Sequence, residues 1–347
     1  MNTLSGRSGS IDLTKCMATC AVLMIHCSAN RYQLFTVGSL DWLTVLFWNG
    51  TCKWAVPVFL MCSGALMNDP QRELPLNRLF SRYLLRLVAS LSVWAALYEC
   101  LRILILRGSA PLSELLWAAG KNWFTGNTYY HLYYFYFAIG LYLALPLTRL
   151  ITRWASKQEL RYLLLLWLFF GSVLPCLQYF LPFRLTGPSL LRFILSPVFA
   201  SAGLGLLGWY LHQKPAGRLL PSLLLFLAGF AALFFFTWQH SDAEKNLNII
   251  LLDGFSPAAI LMGVAVFRIA QTLAEGRSLP SFISFLSRGS FCVYLIHPFF
   301  QLVTRERFWE ALPPLWGTPL QAALLLVLSL AAYWVLRKIP LVSRWLI

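Results

Sequence analysis

Asp12-Leu-Thr-Lys15-Cys-Met-Ala-Thr19-Cys-Ala-Val22-Leu-Met-Ile25-His26 is the stretch whose reading decides the fold. An α-helix turns by about 100° and rises about 1.5 Å per residue, so Lys15 and His26 lie within roughly 20° of each other and roughly 16 Å apart along the axis. They share one stripe of the helix. Asp12, three residues before Lys15, falls on nearly the same line and is placed to neutralise it, with Thr19 and Val22 between. The remaining positions from Cys16 to Ile25 are apolar or small. A titratable imidazole inside such a run is costly in lipid unless it faces protein or a wet cavity, which makes His26 a site candidate. The structural alternative is that His26 only hydrogen-bonds a neighbouring helix.

Outward from this stretch, the 347 residues are 59% hydrophobic and 16% aromatic, with only 12% charged. That mixture excludes an ordinary soluble globular domain. Apolar runs long enough to cross a bilayer predict ten spans: Asp12–Asn30, Trp42–Met67, Phe80–Leu106, Tyr129–Leu150, Leu160–Leu181, Ser189–His212, Leu219–Trp238, Asn248–Gln271, Phe282–Val303 and Pro319–Leu336. The second and third are long enough to tilt or break. The expected fold is an all-α integral membrane protein with both termini cytosolic, residues 1–347 forming a single transmembrane unit. The first span carries Asp12, Lys15 and His26, and no small-residue cleavage site follows it, so it reads as a mature helix and not a signal peptide.

The net charge of +15 invites a nucleic-acid partner, yet its distribution points to a membrane. With the N-terminus inside, eighteen of the 28 basic residues fall in cytosolic segments. These are Arg7 and Lys15, the run Arg72, Arg78, Arg82 and Arg86, and further groups after the fourth, sixth, eighth and tenth spans. Eight fall outside (Arg31, Arg107, Lys121, Arg184, Arg192, Lys245, Arg305 and Arg307), and Lys53 and Arg102 lie within spans. Every inner loop then obeys the positive-inside rule. The eight cysteines are scattered through apolar runs without a CxxC pair, which predicts neither a disulfide nor a zinc site.

Several further features carry chemistry. In Lys53-Trp-Ala-Val-Pro57-Val-Phe59-Leu-Met-Cys-Ser63-Gly64, Pro57 removes a backbone donor and Gly64 relaxes the helix, so backbone groups can line a cavity. Arg78, Arg82 and Arg86 recur at every fourth residue and align three guanidinium groups, suited either to anionic lipid headgroups or to a polyphosphate. Glu99 and Arg102 are an i,i+3 pair that is either a structural ion pair or part of an acceptor pocket. Residues Pro111 to Lys121 read as an amphipathic segment on the outer surface. Asn127 to Tyr136, with Tyr129, Tyr130, His131, Tyr133 and Tyr134, read as an interfacial aromatic belt whose rings can also stack on sugars. Asn248 and Asp253 fall in the eighth span. His297, before Pro298 in the ninth, reads as a core hydrogen-bonding residue near a kink.

Four of these stretches together resemble the transmembrane acyltransferase family 3, whose bacterial members O-acetylate cell-surface and secreted glycans. Lys15-x10-His26 is similar to the family's Arg/Lys-x10-His motif, and Val56-Pro57 through Ser63-Gly64 to its second-helix signature. His131-Leu-Tyr133-Tyr134 through Pro146 is similar to its His-Leu-Trp segment, and Phe291 through Tyr294 to His297-Pro298 to its ninth-helix pattern. Two residues depart from the family: Lys15 stands where Arg is commoner, so it offers a point charge without a bidentate fork, and Tyr133 stands where Trp is usual. The chain also ends after the tenth span without an esterase-like domain, which would leave acceptor choice to the membrane unit.

The resemblance implies an inner-membrane, multi-pass acyltransferase moving an acyl group, expected to be acetyl from cytosolic acetyl-coenzyme A, to a hydroxyl of a lipid-linked or surface carbohydrate. It implies catalytic roles for His26, Lys15 and Asp12. His26 would be a general base or a transient acyl carrier, and Lys15 would hold donor phosphate or stabilise the oxyanion. Arg78, Arg82, Arg86 and Ser63 would serve the donor, and Glu99, Arg102, His131 and Tyr134 the acceptor, with no metal and no nucleic acid involved. A transporter or lipid flippase is the alternative, because it too places charges inside helices.

Overall fold

The computed structural model describes residues 8–177, 179, 197–304 and 309–347. Arg7, Arg184, Arg192, Arg305 and Arg307 lie outside the described residues, as do the parts of the fifth and sixth expected spans at 178, 180–181 and 189–196. The described residues form helices and no strand. Eight helical segments are long and apolar enough to cross a membrane: Gly9–Leu34, Leu40–Met67, Leu76–Leu106, Leu112–Trp154, Lys157–Leu177, Leu219–Glu244, Pro257–Ala274 and Pro314–Leu336. Of the other two expected spans, one is described over 16 residues, Pro197–His212. The other, Ser281–Val303, has 23 residues and carries Arg288, His297 and Gln301 within it. Many large side chains stay exposed on the outward faces, among them Val327 and Trp334, as suits contact with lipid chains.

Helix α1 (Gly9–Ala29) is the hub. It packs against α2 (Leu40–Cys52), α3 (Ala55–Met67) and three later helices that the chain reaches more than 200 residues on. Apolar residues surround it on nearly every side, with Ile11, Ala18, Leu23 and Cys27 fully buried, the pattern of a helix inside a bundle. Thr14, Thr19 and Ser28 donate their hydroxyls back to the carbonyls of Ser10, Lys15 and Met24, and the Ser28 oxygen also accepts from the Asn49 amide of α2.

The long second span is two helices. It breaks at Lys53 and Trp54, four and three residues before Pro57, whose ring displaces the carbonyl four residues back and supplies no amide to it. Pro57 itself sits in the first turn of α3, where its missing donor costs nothing. Ser63 and Gly64 lie within α3. Gly64 serves close packing: α3 crosses α8 (Pro197–His212, with α4 to α7 defined below) so tightly that a Cβ on Gly64 would overlap the backbone of Gly205, and one on Gly208 the backbone of Met61.

The third span opens with a wide π-turn, Leu79–Leu84, before α4 (Leu85–Arg107). Helix α5 (Leu112–Thr125) is the expected amphipathic segment, yet it buries Leu115 and Ala119 and exposes Leu112, Leu116 and Trp117. Next come α6 (Tyr133–Trp154) and α7 (Lys157–Leu168), the latter opened by a capping box between Ser156 and Glu159. After α9 (Leu219–Glu244) the chain departs from expectation. The eighth span begins only at Pro257, in α10 (Pro257–Ala274), capped by Ser256 accepting from the Ala259 amide. Asn248 and Asp253 precede it as turn-formers, since their short side chains compete for backbone amides: Asn248 Oδ1 accepts from Ile250 N and Asp253 Oδ1 from Phe255 N. The last three helices are α11 (Ser281–Val303), α12 (Pro314–Leu336) and the short α13 (Pro340–Trp345).

Arg149 of α6 ties the segment after α3 in place. Its guanidinium donates to the carbonyls of Met67, Asp69 and Arg72, while Thr148 and Thr152 donate to Oδ1 and the carbonyl of Asn68. Arg149→Ala leaves three carbonyls without this donor and is expected to cost about 1–3 kcal/mol. Thermal unfolding of the purified protein in detergent reads that loss, and an unchanged midpoint would show that the clasp contributes nothing.

Candidate active site

A cavity of about 160 Å³ opens beside α1. Lys15, Val22 and His26 of α1 all line it, so the stripe read from helical periodicity is the face turned to the cavity. Ser63 of α3, His131 just before α6, Tyr133 and Tyr134 at its start, and Ser290 and Tyr294 of α11 complete its polar wall, against Ile25, Val56, Phe59 and Phe291. The structure therefore brings together Lys15, His26, Ser63, His131 and Tyr134.

Other residues expected at the site lie elsewhere. Asp12 does not line the cavity and accepts a hydrogen bond from Ser287 Oγ of α11 at 2.6 Å. Two ion pairs are formed elsewhere, Glu99–Arg102 and Asp242–Lys245. Glu99 and Arg102 clasp each other along α4, with Arg102 Nε 3.1 Å from Glu99 Oε2. They too lie off the cavity wall.

Arg78 and Arg82 are exposed. Arg86 is half-buried and donates to the Ile347 main-chain oxygen, beside Ser90 and Trp94, which both donate to the Leu346 carbonyl. The third guanidinium of the row thus docks the segment after α13. Arg72 donates to the Tyr83 hydroxyl, and Tyr83 stacks on Tyr142 of α6 with centroids 6.2 Å apart.

Around His26 the structure gathers Tyr130 and His297, read from the sequence as an interfacial ring and a core residue, and adds Gln301, which the sequence did not mark. The Tyr130 ring lies 5.0 Å from the imidazole and the His297 ring 5.1 Å. Gln301 of α11 joins them, its amide donating to the His26 carbonyl and its oxygen accepting from the Tyr130 hydroxyl. His131, fully buried, stands 5.6 Å from His297, and its carbonyl accepts from the Tyr294 hydroxyl at 2.6 Å. Three of the five histidines therefore meet at one place. The core hydrogen bond expected of His297 is present, Nδ1 to the Val293 carbonyl at 3.0 Å. A hint was available: Tyr294 and His297 are i,i+3, so both project from one face of α11, and Gln301 extends that face by one turn. Among the described residues no group of three or more His, Cys, Asp or Glu side chains is placed to hold a metal ion.

A bundle of apolar helices enclosing a small chamber walled by imidazoles, hydroxyls and one lysine is the architecture of a multi-pass membrane protein. A family model described as an acyltransferase domain matches residues 8–338, essentially all of the chain, and the protein belongs to this family, acyltransferase family 3. No curated protein and no solved structure gives a significant match to the chain.

Proposed function

We propose that this membrane acyltransferase moves an acetyl group from acetyl-coenzyme A to a hydroxyl of a lipid-linked or cell-surface carbohydrate at the inner membrane. The observation that carries the reading is that Lys15 and His26 line one cavity. They are separated along α1 by roughly 16 Å, comparable to an extended pantetheine arm, so a donor whose phosphates are held at Lys15 reaches His26 with its thioester. That favours a donor-binding role for Lys15 over direct contact with the oxyanion.

His26 takes the proton of the acceptor hydroxyl as its oxygen attacks the thioester carbon. The C–S bond breaks, and the departing thiolate recovers the proton from His26. Ser63 and Tyr134 shape the wall, and His131 lies next to the reacting centre. Arg78 and Arg82 are exposed and free to meet the donor's phosphates in this reading, whereas Arg86 is already engaged by Ile347. Glu99 and Arg102 satisfy each other, which supports a structural ion pair.

The test is transfer of labelled acetyl from acetyl-coenzyme A by the purified protein in liposomes supplied with glycan acceptors. The expected product is a base-labile ester on the glycan, and Lys15→Ala should raise the KM for the donor about tenfold with little change in that for the acceptor. Movement of a substrate across the liposome with no thioester consumed would reject the reading.

A further inference from the structure

His297 does not line the cavity and is fully buried, so it meets the reaction only through a neighbour. Its hydrogen bonding fixes its tautomer. A carbonyl oxygen can only accept, so Nδ1 carries the proton donated to the Val293 carbonyl. In the neutral ring Nε2 is then a lone-pair acceptor. That Nε2 is buried and has no hydrogen-bond donor within reach in the described structure. A buried polar atom left in this state costs about 1–3 kcal/mol.

The nearest imidazole is that of His26. A linear N–H···N bond of about 3 Å between two imidazoles sets their centroids roughly 5 Å apart. His26 and His297 stand at 5.1 Å with their planes 27° apart. His131 is farther, at 5.6 Å and 75°. The two rings are stacked in the structure, and rotation of the His26 ring about its side-chain torsions would turn a ring N–H toward Nε2.

We propose that His297 is the positioning residue of the site: its Nε2 accepts from a ring N–H of His26 and so holds the other His26 nitrogen, bearing its lone pair, toward the cavity. The chain of contacts is Val293 carbonyl, His297, His26, acceptor hydroxyl. It achieves with a neutral imidazole the orientation that a base ordinarily receives from a third group hydrogen-bonded behind it. Because the backing group is uncharged, the low-dielectric interior does not have to bury a carboxylate. This inference rests on the role of His26 proposed above.

The experiment is a comparison of His297→Leu and His297→Gln with the parent protein in the same liposome assay. Leu fills similar space without an acceptor, and Gln returns an amide oxygen at about the reach of Nε2. The expected result is a fall in kcat of about tenfold or more for His297→Leu, with the KM values for donor and acceptor held within twofold, and recovery of most of that loss by His297→Gln. Equal loss in both variants, or loss spread into the KM values, would overturn the proposal in favour of packing alone.

A second measurement needs no variant: 15N spectra of histidine-labelled parent protein should show His26 as a single neutral tautomer. A mixture of the two tautomers would also overturn the proposal. The controls separate the two ideas. Full activity in His26→Ala removes the reading of the site, whereas an inactive His26→Ala beside an unimpaired His297→Leu removes only the positioning role.

Discussion

His26→Ala is expected to lower kcat for acyl transfer by roughly 10²- to 10⁴-fold, the range that general-base catalysis contributes. Two features of the structure make this a clean experiment. The side chain lies on a cavity wall, so its removal enlarges a space that already exists and creates no new void in a dry core. The hydrogen bond between α1 and α11 at this level runs from Gln301 to the His26 carbonyl, which alanine keeps. Expression and thermal unfolding should therefore stay close to the parent. Donor binding should be retained as well, because Lys15 is three helical turns away and untouched. Initial rates with purified protein, together with equilibrium binding of a non-hydrolysable thioester analogue, separate the two steps. Turnover near the parent rate would remove His26 from the chemistry.

The second large effect is structural. Gly208→Val should destabilise the bundle by about 3 kcal/mol or more, and Gly64→Val similarly. In each case the new Cβ would overlap main-chain atoms of the facing helix, those of Met61 for position 208 and of Gly205 for position 64. No rotamer change relieves a backbone overlap, so α3 and α8 must move apart along their whole contact. Helices in lipid gain from close van der Waals packing and have little hydrophobic drive to compensate its loss, so small residues at a crossing set the association. Separation would also carry away Phe59 and Ser63, which stand on the same helix in the cavity wall. Gly120 is the matched control: a Cβ there meets nothing within 4 Å, and Gly120→Ala in the middle of α5 should be neutral or stabilise by about 0.5–1 kcal/mol. Unfolding midpoints in a detergent and denaturant series check all three variants. A Gly208→Val protein as stable as the Gly120→Ala protein would disprove the close-crossing account.

Much of the site was legible in the first helix. The interval between Lys15 and His26 placed both on one stripe, and the cavity lies along it. His131 and Tyr134 were identifiable from their aromatic segment, and Ser63 from the Pro57 to Gly64 signature. Other placements were decided by contacts that the sequence does not show. Spacing set Asp12 beside Lys15, and the fold adds a hydrogen bond to Asp12 from Ser287, 275 positions along the chain. Arg86 looked like its two neighbours in the row, but only it meets the Ile347 oxygen. Asn248 and Asp253 sat in an apolar stretch of adequate length, and their capture of backbone amides delayed the helix to Pro257.

By itself the sequence determined the membrane class, the helical content and the alignment of Lys15 with His26, because hydropathy and helical period are properties of neighbours in the chain. Only the tertiary structure decided that α1 is enclosed by five helices, that its polar stripe faces a chamber and not lipid, and that His131 and His297 close on His26. Those outcomes depend on how helices far apart in sequence cross, and crossings are fixed by side-chain fit between surfaces that no local pattern encodes.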